Sequence, residues 1–306
     1  MNHNTPLPRP LAAGTEQLRT IRDFLRYAVS RFHAEKLVFG QGCADAVDEA
    51  AYLILHTLHL PLDRLEPFLD AQLIQHEREQ LLQRIEQRAQ LKIPVAYITH
   101  ESWLQGYKFY VDERTLIPRS FIAELLKEQL SPWVDEPDQV RRVLDLCTGS
   151  GCLAIMAADA FPNTHVDAVD ISADALTVAT RNVADYGLQD RITLYQSDLF
   201  ATLPAQRYDL IISNPPYVNA DSMQALPAEF RHEPALALAG GVDGMDLVRR
   251  MLQQAPHYLT DEGQILVEIG HERSHCEAAF PQHAFTWVST SAGDDMVFLL
   301  RKDQLV

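Results

Sequence analysis

Asn214-Pro215-Pro216-Tyr217 is the stretch whose residue types constrain the chemistry most tightly. The Asn side-chain oxygen and the carbonyl of Pro215 are two acceptors on a proline-stiffened corner, and each can take one hydrogen of a planar NH2 group. Tyr217 adds a flat ring to stack on the face of such a group. An amide or aminopurine nitrogen is a poor nucleophile because its lone pair is delocalised. Holding both N–H bonds favours pyramidal character and aims the lone pair at an electrophile, by orientation and electrostatics alone. The corner follows Tyr208-Asp209-Leu210-Ile211-Ile212-Ser213, an apolar run that reads as a buried strand. It therefore sits at a strand's carboxyl end, where open parallel sheets hold their ligands.

A second constellation is built for a nucleoside. Leu144-Asp145-Leu146-Cys147-Thr148-Gly149-Ser150-Gly151-Cys152 runs from a strand into a helix, and its glycines allow a tight turn and close approach of a ligand to the backbone. Asp170 ends the next strand, where acids commonly accept from both ribose hydroxyls. Asp198, in Gln196-Ser197-Asp198-Leu199-Phe200, ends the third, where an adenine edge would lie. Gly149-x-Gly151-x-x-Ala154 also satisfies a dinucleotide fingerprint, which would set a pyrophosphate on the helix amino terminus. S-adenosylmethionine has no phosphate but carries an ammonium and a sulfonium. Asp145, just ahead of the glycines, suits that ammonium and gains nothing from a pyrophosphate. With the Asn-Pro-Pro-Tyr corner, this favours S-adenosylmethionine over NAD. Each acid alone has a plainer use, in a loop cap, a helix cap or a turn. Three at successive strand ends beside a glycine loop point to a site. Cys147 and Cys152 read as packing residues, and no metal spacing is present among the histidines.

These residues need a scaffold to position them. From about residue 118, apolar strands (143–146, 165–169, 192–196, 209–213, 264–269, 285–289, 296–300) alternate with helices (152–161, 173–186, 245–258). The rhythm predicts an α/β fold with a doubly wound, mostly parallel sheet. The last two strands lack room for a crossover helix and are expected as an antiparallel edge hairpin. Residues 1–94 read as a helical accessory domain, with apolar residues at helical spacing from Leu18 to Phe32 and Thr15 as the expected cap. Residues 95–117, rich in aromatics around Gly106, read as a β-hairpin linker to a catalytic domain over 118–306.

The length, 306 residues, and 47% apolar content suit two modest domains with real cores. No apolar segment approaches a membrane span, no signal peptide is evident, and the four cysteines make no CxxC pair. A cytoplasmic protein with reduced thiols is expected. Net charge is −16, and residues 101–306 carry 15 Lys/Arg against 30 Asp/Glu. Such a half is poorly suited to a phosphate backbone, so direct nucleic-acid recognition is not expected. A basic protein partner suits it, as does ordinary solubility charge.

Taken together, Asp-Leu-Cys-Thr-Gly-Ser-Gly, Asp-Ile-Ser, Ser-Asp-Leu-Phe and Asn-Pro-Pro-Tyr resemble the class I methyltransferases that act on planar nitrogens. Ile117-Pro118-Arg119-Ser120, Arg231-His232-Glu233-Pro234-Ala235-Leu236 and Gly240-Gly241-Val242-Asp243-Gly244 narrow the resemblance to protein-glutamine methyltransferases. It covers essentially the whole chain. Pro118-Arg119-Ser120-Phe121 is similar to the branch acting on large-subunit ribosomal protein L-three. The release-factor branch reads Pro-Arg-Pro-Glu-Thr-Glu there, and Phe121 departs from an expected proline. The resemblance implies methyl transfer from S-adenosylmethionine to a glutamine amide nitrogen of that ribosomal protein. It implies cofactor contacts at Asp145, Thr148, Gly149, Ser150, Gly151, Asp170, Asp198, Leu199 and Asn214. Asn214, Pro215, Pro216 and Tyr217 would receive the glutamine, with Asn214, Pro215 and Tyr217 acting in the reaction. Release factors, or the amino group of a nucleic-acid base, are the alternative acceptors. Arg119, His232 and Glu233 have an open choice between the substrate mouth and a structural joint.

Overall fold

Among the described residues, a threonine begins the first helix. In the computed structural model, which describes residues 17–305, the Thr20 hydroxyl accepts the Asp23 N–H while the Asp23 carboxylate accepts the Thr20 N–H. This reciprocal cap satisfies two donors that would be orphaned at the head of α1, Ile21–Ala34. Thr15, the cap expected from sequence, lies outside the described residues. Asp45 caps α2, Ala46–Thr57, and is followed by α3, Gln75–Leu91, and a short α4, Val95–Thr99, set off by Pro94. Phe24, Ala28 and Phe32 of α1 join Leu53 of α2 and Leu82 and Ile85 of α3 in one apolar core. These helices belong to the first of two compact units, which holds the described residues through Glu101 together with Pro227–His232. Within it, buried Arg88 donates to Glu49 Oε1 (2.6 Å) and to the Val38 carbonyl (3.0 Å), and lies 3.8 Å from Glu229 Oε1. A segment from far along the chain is thus held by a buried charge cluster.

The second unit comprises Ser102–Leu226 and the chain from Glu233 onward. Its sheet is assembled from β3 (Arg142–Leu146), β4 (His165–Asp170), β5 (Ile192–Gln196), β6 (Tyr208–Ser213), β7 (Leu259–Glu268), β8 (Thr286–Thr290) and β9 (Gly293–Arg301). The order is β5-β4-β3-β6-β7-β9-β8. The first five run parallel, and β9 is antiparallel to both β7 and β8, giving the expected edge hairpin. β3, β4 and β6 are almost wholly buried, and the middle of β6, Leu210-Ile211-Ile212, reads accordingly as an apolar run. The crossovers include α6 (Cys152–Ala160), α7 (Ala173–Asp185) and α9 (Asp246–Tyr258). Val248, Met251, Leu252 and Ala255 of α9 pack on Leu144, Ile211 and Ile265 of the sheet.

Within residues 95–117 the chain makes α4, then β1 (Glu101–Leu104) and β2 (Tyr107–Tyr110), which form a separate two-stranded sheet. Their turn, Gln105-Gly106, has positive φ at both residues. Asn182 of α7 accepts the Tyr110 N–H (2.8 Å) and donates to its carbonyl (3.0 Å), and the Tyr186 hydroxyl does the same for Lys108. Side chains of α7 thereby stand in for a neighbouring strand.

Candidate active site

Strand register brings the separated motifs to one edge. Leu146, the last residue of β3, pairs with Val169 on one side and Ser213 on the other, and Asp170 pairs with Gln196. The loop after β3, the acid ending β4, the turn after β5 and the corner after β6 therefore emerge together. The sheet order reverses between β3 and β6, where a crevice must open. A cavity of about 320 Å³ lies there, lined by Cys147, Gly149, Asp170, Ser197, Asp198, Leu199, Asn214 and Pro216 among others. That is the size range of small-ligand sites.

The glycine loop is shaped by three positive-φ residues, Cys147 (61°), Gly149 (56°) and Gly151 (81°). A Cβ on Gly151 would lie 3.2 Å from the Ala179 side chain, so this glycine lets the loop pack on α7; a Cβ on Gly149 would meet nothing within 4 Å. Asp170 locks the loop from the side: Oδ2 accepts the Gly149 N–H and Oδ1 the Ser172 N–H, both at 2.9 Å. Burial raises its pKa against the pull of these N–H groups. Each oxygen retains a further lone pair, so a diol can still be held.

Asp145 is placed differently from the other acids. It is 1% exposed beneath the loop and does not line the cavity. Its Oδ2 accepts the Thr148 hydroxyl at 2.5 Å, while Oδ1 is buried without a well-formed hydrogen bond and the Ala154 N–H is the other donor near the carboxylate. Burial pushes its carboxyl up to about 7. Ser150 is also buried and, like Gly151 and Thr148, lies behind the wall. Asp198 lies two residues beyond the end of β5 and is ion-paired with Arg250 of α9 at 2.7 Å.

The corner after β6 is tied down on both sides. The Ser213 hydroxyl donates to the Leu146 carbonyl at 2.7 Å. Beyond the corner, the Val218 N–H donates to Leu238 O and the Gly240 N–H to Val218 O, both at 2.9 Å. This explains the glycines of Gly240-Gly241-Val242-Asp243-Gly244. A Cβ on Gly240 would sit 2.6 Å from Tyr217 Cα and 2.8 Å from Pro216 O, and one on Gly244 would sit 2.2 Å from Tyr217 O. Asn214 and Pro216 line the cavity; Pro215 and Tyr217 do not. The Tyr217 ring lies against Gly270, whose added Cβ would come within 2.6 Å of Cε2. Burial, then the Glu268 carboxylate, holds its phenol well above the ordinary value, so it stays neutral.

Arg119 and Glu233, left open by the sequence, form one joint. Both guanidinium Nη atoms meet both carboxylate oxygens, at 2.5 and 2.6 Å. The joint anchors the segment whose Pro234, Leu236, Ala237 and Ala239 form another stretch of cavity wall. Glu268, at the end of β7, accepts the Ser120 hydroxyl (2.6 Å) and the Phe121 N–H (2.8 Å). A proline at 121 could not make that second bond. His232 belongs to the first unit, its ring donating to the Leu91 carbonyl at 2.9 Å. Sequence reasoning missed Arg114, Thr115, Leu116, Leu247 and Arg250, all on the cavity wall. Leu116 adjoins Ile117-Pro118-Arg119-Ser120, which was the one available signal for that wall.

Among known families, the Methyltransferase small domain matches residues 123–242. The ribosomal protein uL3 glutamine methyltransferase of Bordetella pertussis is 59% identical over 95% of this chain and 97% of its own. That of Burkholderia pseudomallei is 58% identical over 94% and 96%, and that of Neisseria meningitidis serogroup B is 56% identical over 95% and 96%. Identity of this order across nearly the full length of each protein, over a class I methyltransferase sheet with Asn-Pro-Pro-Tyr at its switch point, shows that the chain belongs to the ribosomal protein uL3 glutamine methyltransferase family.

Proposed function

We propose that the chain transfers a methyl group from S-adenosylmethionine to the side-chain amide nitrogen of a glutamine in ribosomal protein uL3. The observation that carries this reading is that Asn214 and Pro216 share one cavity with Gly149, Asp170 and Asp198. The residues present fit the cofactor. Asp170 has lone pairs for a ribose diol, Asp198 is an acceptor for an adenine amine, and Asp145, buried beneath the loop, puts a carboxylate behind the wall where a cation on the other side is favoured. Thr148, Ser150, Gly151 and Leu199 hold the backbone around these groups. When bound, S-adenosylmethionine supplies an electrophilic methyl on a sulfonium sulfur that keeps the C–S electron pair as the methyl leaves.

Asn214 Oδ1 and the Pro215 carbonyl accept the two N–H bonds of the glutamine amide and orient its lone pair toward that methyl. Tyr217, neutral and held by Gly270, closes the wall behind the corner. The nitrogen becomes acidic only once the new C–N bond has formed, and its surplus proton then passes to water, so no strong resident base is needed to start the reaction. Residues 118–306 are assigned to catalysis, 95–117 to a linker whose end, Arg114 to Leu116, also lines the cavity, and 1–94 to an accessory domain that recognises substrate; every cavity-lining residue falls in the second unit. The 30 acids against 15 basic residues beyond position 100 favour a basic protein acceptor over nucleic acid. Four free thiols suit a reducing cytoplasm, and no described helix is long and apolar enough to cross a membrane.

The test is an acceptor comparison with radiolabelled donor, using hypomethylated ribosomal proteins, release factors and nucleic acid. Label on a uL3 glutamine is expected. Label in release factors alone would move the assignment to that acceptor.

A further inference from the structure

Every residue of Gly240-Gly241-Val242-Asp243-Gly244 but one has a structural task. Gly240 and Gly244 leave room for the backbone of Pro216 and Tyr217, and a Cβ on Gly241 would strike the Asp246 carboxylate. Asp243 accepts the Met245 N–H at 3.0 Å and pairs with Arg249 of α9. Val242 alone is turned outward, 84% exposed. Leu236, shortly before it, is 58% exposed and also lines the cavity. These two are the most exposed of the large apolar side chains described in the second unit. Single exposed apolar residues are ordinary, but both of these sit on the stretch that is zipped to the Asn-Pro-Pro-Tyr corner. The Val218 N–H donates to Leu238 O, the Gly240 N–H to Val218 O and the Ala220 N–H to Val242 O, the last at 3.3 Å. The helix that opens at Ala220, α8 (Ala220–Ala225), buries none of its residues.

Continuity with the corner decides what covers this surface. A glutamine side chain spans roughly 5 Å from Cα to its amide nitrogen, and the neighbouring Cα atoms follow at steps of about 3.8 Å. A polypeptide whose glutamine amide reaches Asn214 and Pro215 therefore runs across the mouth of the cavity, and the residues beside the glutamine meet the segments that border it. We propose that Leu236 and Val242 are specificity-determining residues, an apolar collar that takes the aliphatic side chains flanking the target glutamine in uL3. This rests on the reading that the corner receives a glutamine of uL3. Removing two exposed aliphatic side chains from water favours an aliphatic neighbour of the glutamine over a polar one.

The inference is tested by steady-state methyl transfer from the full chain to hypomethylated uL3, with S-adenosylhomocysteine affinity measured by titration calorimetry. Val242→Ser and Leu236→Ser should each raise KM for uL3 roughly 5-fold or more, because aliphatic burial is lost on binding. Their kcat and cofactor affinity should stay within about 2-fold of wild type, as expected when the contact is equally present in ground and transition states. Val242→Ile, which keeps the apolar surface, should retain the wild-type KM. All variants are matched to wild type in thermal melting, and Val242, at 84% exposure, has little packing to lose. A wild-type KM in Val242→Ser overturns the contact at Val242. A Leu236→Ser protein that loses cofactor affinity or kcat rather than KM returns Leu236 to the cofactor wall and overturns its place in the collar. A wild type that labels another acceptor and not uL3 overturns the underlying reading instead, and the same KM comparison on that acceptor then decides the collar.

Discussion

Asp145 shows how a single buried oxygen can report on ligand binding. Its carboxyl, pushed up to about 7 by burial, is part-protonated at neutral pH, and its Oδ1 lacks a well-formed hydrogen bond. An ammonium held over the loop favours the ionised form through its field, so cofactor binding at pH 7 should release up to about half a proton. Titration calorimetry in buffers of differing ionisation enthalpy reads this directly, and Asp145→Asn should abolish it. An unchanged release in the Asn variant would remove Asp145 from the cofactor site. The sequence marked this residue because it precedes the glycines, but could not say that it lies beneath the loop rather than on the wall. Arg250 was illegible for the opposite reason. It sits in an ordinary charged helix segment, and only the fold carries it 52 positions back to Asp198.

At the scale of elements, the joints matter as much as the strands. Glu268 ends β7 and pins Ser120 and Phe121 ahead of α5, Ile122–Lys127. Burial lifts its carboxyl from 4.5 to about 7, so the folded state binds the proton more tightly than the unfolded chain. The resulting penalty is absent below about 4.5, grows as pH rises, and is complete above about 7. Glu268→Gln should therefore flatten the fall in stability across that window, as read from urea unfolding at a series of pH values. A variant whose pH profile parallels wild type would show that Glu268 titrates normally. The strand cores were legible because residues buried on both faces leave apolar runs. The ends were not: β7 begins at Leu259 rather than 264, where one Tyr208–Leu259 pair lies beyond a break in register, and β9 at Gly293 rather than 296, where Gly293 pairs with Thr290. Arg119 and Glu233, 114 positions apart, could not be joined without the fold.

Over the whole molecule, charge is separated along the chain, with the first hundred residues near neutral and the remainder carrying −15. Attraction of a basic substrate to that surface is screened by salt. KM for the ribosomal protein should thus rise between about 50 and 200 mM salt while kcat changes little; a KM indifferent to salt would assign the charge to solubility alone. The sequence showed this asymmetry, but not that Pro227–His232 groups with the helical unit, because its anchor is the buried Arg88–Glu49–Glu229 cluster rather than any local pattern. In the proposed reaction all of this serves two oxygens, of Asn214 and Pro215, presented to a flat nitrogen beside the cofactor. The direct measurement is single-turnover methyl transfer to the glutamine of uL3 by Asn214→Ala, alongside its affinity for S-adenosylmethionine. Transfer should fall by about 10²–10³-fold with cofactor affinity largely retained. Transfer at the wild-type rate would contradict the account.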